Sequence, residues 1–191
     1  MENDGGAHLE RRFFLYEIMS NGGIIGSRIT EISLGFLEGT GWYIPDYCYA
    51  EPYNFGQGQG CDFIYEDCDA KKFDEFCEGE AKACTTLGES GGTCKSDSKS
   101  DYCRLYKGNV AFNCENPKGI YYTTLPSRQV YGRGLGSKCF AGNLTSSKSG
   151  TPKDNAYCFT YKCLGKGSDT TLQVDFGTDT FTCTKKGLTT I

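Results

Sequence analysis

Apolar positions repeat with a helical period in one stretch of the chain. Ile25, Ile29, Ile32 and Phe36 fall at i, i+4, i+7 and i+11 and predict an amphipathic helix over residues 27–38. Ser27 stands where an N-cap belongs and Gly39 where a left-handed C′ residue belongs. Gly41-Trp42-Tyr43-Ile44-Pro45 then leaves the helix as extended chain, and Pro45 closes a first unit. Ahead of the helix, residues 8–19 place Arg12, Tyr16 and Glu17 among Phe13, Phe14, Leu15 and Ile18. That mixed pattern predicts extended chain or turn. Ser20-Asn21-Gly22-Gly23 is a turn signal, because Asn and Gly tolerate positive φ.

From Cys48 onward the apolar pieces are short and poorly periodic. Residues 72–84 predict a short helix. Residues 119–125 and 171–184 are rich in β-branched and aromatic side chains and predict strands. Gly56-Gln57-Gly58-Gln59-Gly60 and residues 141–155 predict loops. No apolar run approaches the ~20 residues of a membrane span. The pattern therefore predicts an α+β chain of two units, residues 1–45 and residues 46–191, the second mostly strand and loop.

Composition sharpens this picture. Glycine contributes 26 of 191 residues, which suits a loop-rich chain and not a helical bundle. All 12 cysteines lie in residues 48–191, an even count at disulfide-like spacings, which points to an oxidising compartment. The spacings alone leave the connectivity open. Residues 1–20 are polar and charged and hold no apolar signal-peptide core. Cysteines without a signal segment predict that the chain is the C-terminal part of something longer. A net charge of −4 argues against nucleic acid as the main partner.

Few constellations for chemistry are present. No Cys-x-x-Cys pair occurs, so disulfides explain the cysteines better than structural zinc. The acidic run Asp67, Asp69, Asp74, Glu75, Glu78 fails the calcium-loop test, since Lys71 and Lys72 occupy positions five and six; it predicts a solvated acidic face. His8 is the single histidine, so it is the only imidazole base for a Ser or Cys triad. No Gly-x-Ser-x-Gly elbow and no phosphate loop are present. Taken alone, His8 reads as a surface residue and Met19 as core packing.

Together, however, the segments resemble the leishmanolysin family, zinc metalloproteases of the metzincin group. The likeness runs through Gly6-Ala7-His8-Leu9-Glu10-Arg11-Arg12 and Tyr16-Glu17-Ile18-Met19-Ser20. It continues in Gly39-Thr40-Gly41-Trp42-Tyr43 and Gly58-Gln59-Gly60-Cys61-Asp62-Phe63. Asp101-Tyr102-Cys103, Ser137-Lys138-Cys139-Phe140-Ala141-Gly142 and Cys158 with Cys163 extend it to nearly the whole chain. The resemblance implies that His8 is the third zinc ligand and that Met19, 11 residues later as in the family, is the methionine of the Met-turn. It implies a zinc-activated water that attacks the peptide carbonyl. Two further histidines and the general-base Glu would come from a His-Glu-x-x-His helix. This sequence contains no such motif, and Leu9 stands where the family has Trp. The expectation is therefore the C-terminal portion of a zinc metalloendopeptidase acting on proteins or peptides. No catalytic residue is expected within this chain, which alone should neither hold zinc nor cleave. The alternative is a secreted, disulfide-rich binding or adhesion module. The resemblance and the cysteines imply an extracellular or cell-surface location, with any membrane anchor outside this chain. Asn143-Leu144-Thr145 is a glycosylation acceptor.

Overall fold

The structure is a computed structural model that describes residues 8–118, 132, 134–142, 155–165, 170–176 and 179–183. Its elements are α1 (Glu31–Gly39), α2 (Asp62–Tyr65), β1 (Lys82–Cys84), β2 (Ser90–Ser96), β3 (Arg104–Asn113), β4 (Ser137–Gly142), β5 (Asn155–Leu164), β6 (Thr171–Phe176) and β7 (Asp179–Cys183). Strands β1, β2 and β3 form one sheet in that order, and β4 to β7 form a second in chain order. The described residues are thus mixed helix and strand, with more strand than helix. It divides into two compact units, one made of residues 1–81 and 94–107, the other of residues 82–93 and 108–191.

The first unit is built on rings. The short helix α2 presents Phe63, which meets Phe55 at 5.6 Å, Phe73 at 5.3 Å, Phe76 at 5.6 Å and Phe13 at 6.4 Å between centroids. Phe55 in turn meets Tyr16 edge-on. Such pairs add to the area buried by each ring. Gly56 has φ +71°, and a Cβ there would lie 2.5 Å from the Phe63 ring, so the loop needs glycine for two reasons. Disulfides Cys68–Cys103 and Cys77–Cys94 close this unit.

The second unit is built on ladders. β4 pairs antiparallel with β5, with Cys139 opposite Cys158, and β5 pairs with β6 and β6 with β7. Residues 156–159 of β5 are buried on both faces. Tyr157 and Phe159 pack with Val174, Phe140, Tyr161 and Leu172. Ala156 and Cys158 pack with Cys139, Cys114 and Cys84. Disulfides Cys84–Cys139 and Cys114–Cys158 lie on that second side.

Several local expectations change. The helix begins at Glu31, not at residue 27: Thr30 is the N-cap, and its hydroxyl accepts from the Ile32 N–H. Ser27 instead closes a turn with Ile24, donating to its carbonyl and accepting from its N–H. Gly39 is the last helical residue, and the left-handed conformation falls on Gly41, at φ +74°. Residues 72–84 form turns and β1. The Cys77 N–H bonds the Arg104 carbonyl and its sulfur bonds Cys94, which removes it from any helical ladder. Residues 171–184 hold two strands, β6 and β7. Residues 119–125 lie outside the described residues.

Candidate functional site

His8 is exposed and sits in a bend, and Leu9 after it forms an isolated parallel bridge with Ser20. The Leu9 N–H donates to the Met19 carbonyl at 3.1 Å. Residues 17–20 form a tight turn: the Ser20 N–H donates to the Glu17 carbonyl at 3.0 Å, and the Ser20 hydroxyl donates to the same oxygen at 2.9 Å. Met19 occupies the third position of that turn and is half-buried. A second pair of bonds fixes the turn from the other side. The Ile18 N–H donates to the Arg28 carbonyl and the Arg28 N–H to the Tyr16 carbonyl, both at 2.8 Å.

Glu17 lies at the centre of this arrangement and is 1% exposed. Its Oε1 accepts from the Thr30 N–H at 3.0 Å and from the Thr30 hydroxyl. Its Oε2 accepts from the Ser33 hydroxyl. Ser33 is the buried position of α1, whereas Ile29 and Phe36 of the apolar stripe are 48% and 54% exposed. The helix therefore turns a polar residue inward, toward a carboxylate at its own N-terminus, where the helix dipole favours negative charge. Sequence reasoning missed Glu17 in this role. The available signal was Thr30-Glu31, a capping residue followed by an acid in the first turn.

Positive side chains bracket the residues after Met19. Arg11 donates from Nη1 to the Asn21 carbonyl at 2.8 Å, and Lys99 from Nζ to Asn21 Oδ1 at 2.6 Å. The buried Asp97 carboxylate pairs with Arg11 at 3.3 Å and with Lys107 at 3.2 Å. Tyr53 donates to the Phe13 carbonyl at 2.8 Å. Burial, and then the charge of Glu17, push its hydroxyl well above the usual tyrosine range.

Of the acidic run, Asp67, Asp69, Asp74 and Glu78 are exposed as expected. Glu75 is a correction: it is buried, and its Oε1 accepts from the Gly56 N–H at 3.0 Å. It holds the glycine loop against the ring cluster. Among the described residues no group of three or more His, Cys, Asp or Glu could hold a metal ion. One imidazole does not make a three-ligand zinc centre, so the residues present do not by themselves fit the metal that the resemblance implies. Cys48, Cys61, Cys163 and Cys183 are not in disulfides in this structure. Asn143 lies outside the described residues. No helix among the described residues is long and apolar enough to cross a membrane.

With that geometry in place, likeness to known proteins is informative. The leishmanolysin family model, a peptidase family, matches residues 2–190. The mouse ciliated left-right organizer metallopeptidase is 32% identical over 181 residues, which cover 85% of this chain and 25% of that protein. Its human counterpart is 29% identical over 185 residues, covering 85% of this chain and 23% of that protein. A leishmanolysin-like peptidase of Caenorhabditis elegans is 37% identical over 73 residues, 36% of this chain and 11% of that protein. The chain thus spans about a quarter of the length of the first of these relatives.

Proposed function

The chain belongs to the leishmanolysin family of metallopeptidases, and on that premise we propose that it is the C-terminal portion of a zinc-dependent endopeptidase acting on proteins or peptides. In this reading residues 1–45 are the end of a metzincin-like catalytic domain. His8 supplies one of three zinc ligands, and Met19 belongs to the turn beneath the metal. Residues 46–191 are the disulfide-rich C-terminal domain, and Asn143 is a glycosylation acceptor. The protein works outside the cell or at its surface. Four disulfides support an oxidising compartment.

One observation carries the reading. The chain beside His8 is hydrogen-bonded to Met19 in a closed turn, in a sequence that the family model matches from residue 2. In this reading the chain contributes an imidazole whose neighbouring backbone is tied to the turn that carries Met19. The remaining ligands and the general base would come from other residues of the protein. The 191-residue chain alone is expected to be inactive.

The test is made on the natural polypeptide, comparing His8→Ala with the parent for bound zinc and for chelator-sensitive cleavage of a denatured protein. Loss of one of three ligands should lower activity by more than the roughly 10–100-fold that loss of an outer-shell partner costs, while the disulfide-rich part stays folded. Unchanged zinc content and cleavage in His8→Ala would remove His8 from the site. A natural polypeptide that binds no zinc would favour the secreted binding module instead.

A further inference from the structure

Glu17 makes no contact with solvent that would account for a carboxylate at that position. It accepts from two groups of Thr30 and from Ser33, all at the start of α1. Its backbone closes the turn that contains Met19. The far side of that turn, the Met19 carbonyl, receives the Leu9 N–H, one residue from His8. A continuous set of hydrogen bonds therefore runs from the helix N-terminus, through the Glu17 side chain, across residues 17–20, to the backbone at His8.

We infer that Glu17 is a positioning residue: its buried carboxylate anchors the 17–20 turn to α1 and thereby fixes where His8 is presented. The importance of this for zinc rests on the reading of His8 given above; the coupling itself does not. The carboxylate is suited to the task because all three of its partners are donors. A neutral side chain leaves at least one of them short of an acceptor or forces a hydroxyl to turn. Burial makes the loss of such an acceptor costly. Thr30 links the two structures directly, since its hydroxyl donates to Glu17 while accepting from the Ile32 N–H.

The experiment uses the full 191-residue chain and two variants, Glu17→Ala and Glu17→Gln. Because His8 is the only histidine, its Cε1–H group gives a single NMR signal that reports its surroundings. Amide exchange is followed in parallel. In Glu17→Ala, the Leu9 and Ile18 amides should lose roughly tenfold or more of their protection. The His8 signal should move toward that of free histidine. The Cys77 and Cys94 amides, bonded to Arg104 and Ala81, should keep theirs. Glu17→Gln, of equal size, should recover part of both effects. If Thr30 and Ile32 lose protection while Leu9 and the His8 signal stay unchanged, Glu17 only caps the helix and the inference is wrong. If Glu17→Ala does not fold, the same two readouts in Glu17→Gln decide it: movement of both supports the coupling, and movement of neither overturns it. Zinc retention by the natural polypeptide separates the two readings. A Leu9 response in the Glu17 variants, with zinc retention unchanged in His8→Ala, would leave the coupling standing and overturn the metal role of His8.

Discussion

The unit formed by residues 8–81 and 94–107 is held by phenylalanine rings and buried polar groups, whereas the unit formed by residues 82–93 and 108–183 is held by strand ladders. In the first, the backbone is mostly turns, and several of them are fixed by buried side chains. Glu17 fixes residues 17–20 to α1, Glu75 fixes Gly56, and Asp97 gathers Arg11 and Lys107. In the second, β4 to β7 satisfy one another's backbone groups in register, and the side chains only have to fill the two faces of β5. The difference teaches where specificity is stored. A ladder tolerates many sequences, because its bonds are made by the main chain. A turn-rich unit does not, because its bonds depend on particular acceptors. The candidate site lies in the turn-rich unit.

The largest effect is expected at Phe63. Phe63→Ala removes the ring that touches four others and should cost about 3–5 kcal/mol in denaturant unfolding. A loss below about 1 kcal/mol would mean that the rings do not hold the first unit. Next come the bridges. Replacing Cys114 and Cys158 by Ala opens a 44-residue separation and should cost about 4 kcal/mol on loop-closure grounds. Replacing Cys77 and Cys94 opens 17 residues and should cost about 3 kcal/mol. Thermal melts of the two double variants compare these costs. The reverse order would show that the turn-rich unit leans on its disulfides more than chain entropy requires.

The smallest effect is a pH dependence in the turn-rich unit. The hydroxyl of Tyr53 is raised above its ordinary value near 10, by burial first and then by the charge of Glu17. The folded state therefore keeps Tyr53 neutral where the unfolded chain would ionise it. Its contribution is present in full below pH about 10 and falls as pH rises beyond that. Tyr53→Phe should cost about 1 kcal/mol at neutral pH through the lost bond to the Phe13 carbonyl. The gap between parent and variant should shrink above pH about 10. A gap that stays constant to high pH would show that Tyr53 is more open to water than its surroundings indicate.

Legibility in the sequence follows the same division. Residues 171–184 announce themselves as strand, because β-branched and aromatic side chains suit a pleated surface wherever it lies. The helix near residue 30 is equally visible from its period. Its start is not, because Thr30 outcompetes Ser27 only when Glu17 is brought to it from 13 residues away. Residues 72–84 look helical, since Phe73 and Phe76 are spaced for it. They are drawn instead into a ring cluster and a disulfide with distant partners. Glu75 belongs to an acidic run that is otherwise solvated, and nothing local marks it as the one that turns inward.

Composition, order and spacing establish a cysteine-rich α+β chain of the leishmanolysin family, with a lone histidine followed after 11 residues by a methionine in a turn-forming segment. Those are properties of composition, order and spacing, and they survive without coordinates. Packing across the chain sets which cysteines pair, leaves Ile29 and Phe36 of the apolar stripe exposed while Ser33 turns inward, and brings Glu17 to tie the helix to the turn beside His8. The physical reason is that a buried carboxylate or thiol takes its partner from whatever the fold brings within a few ångströms, and that neighbour is set by packing across the chain and not by the residues on either side.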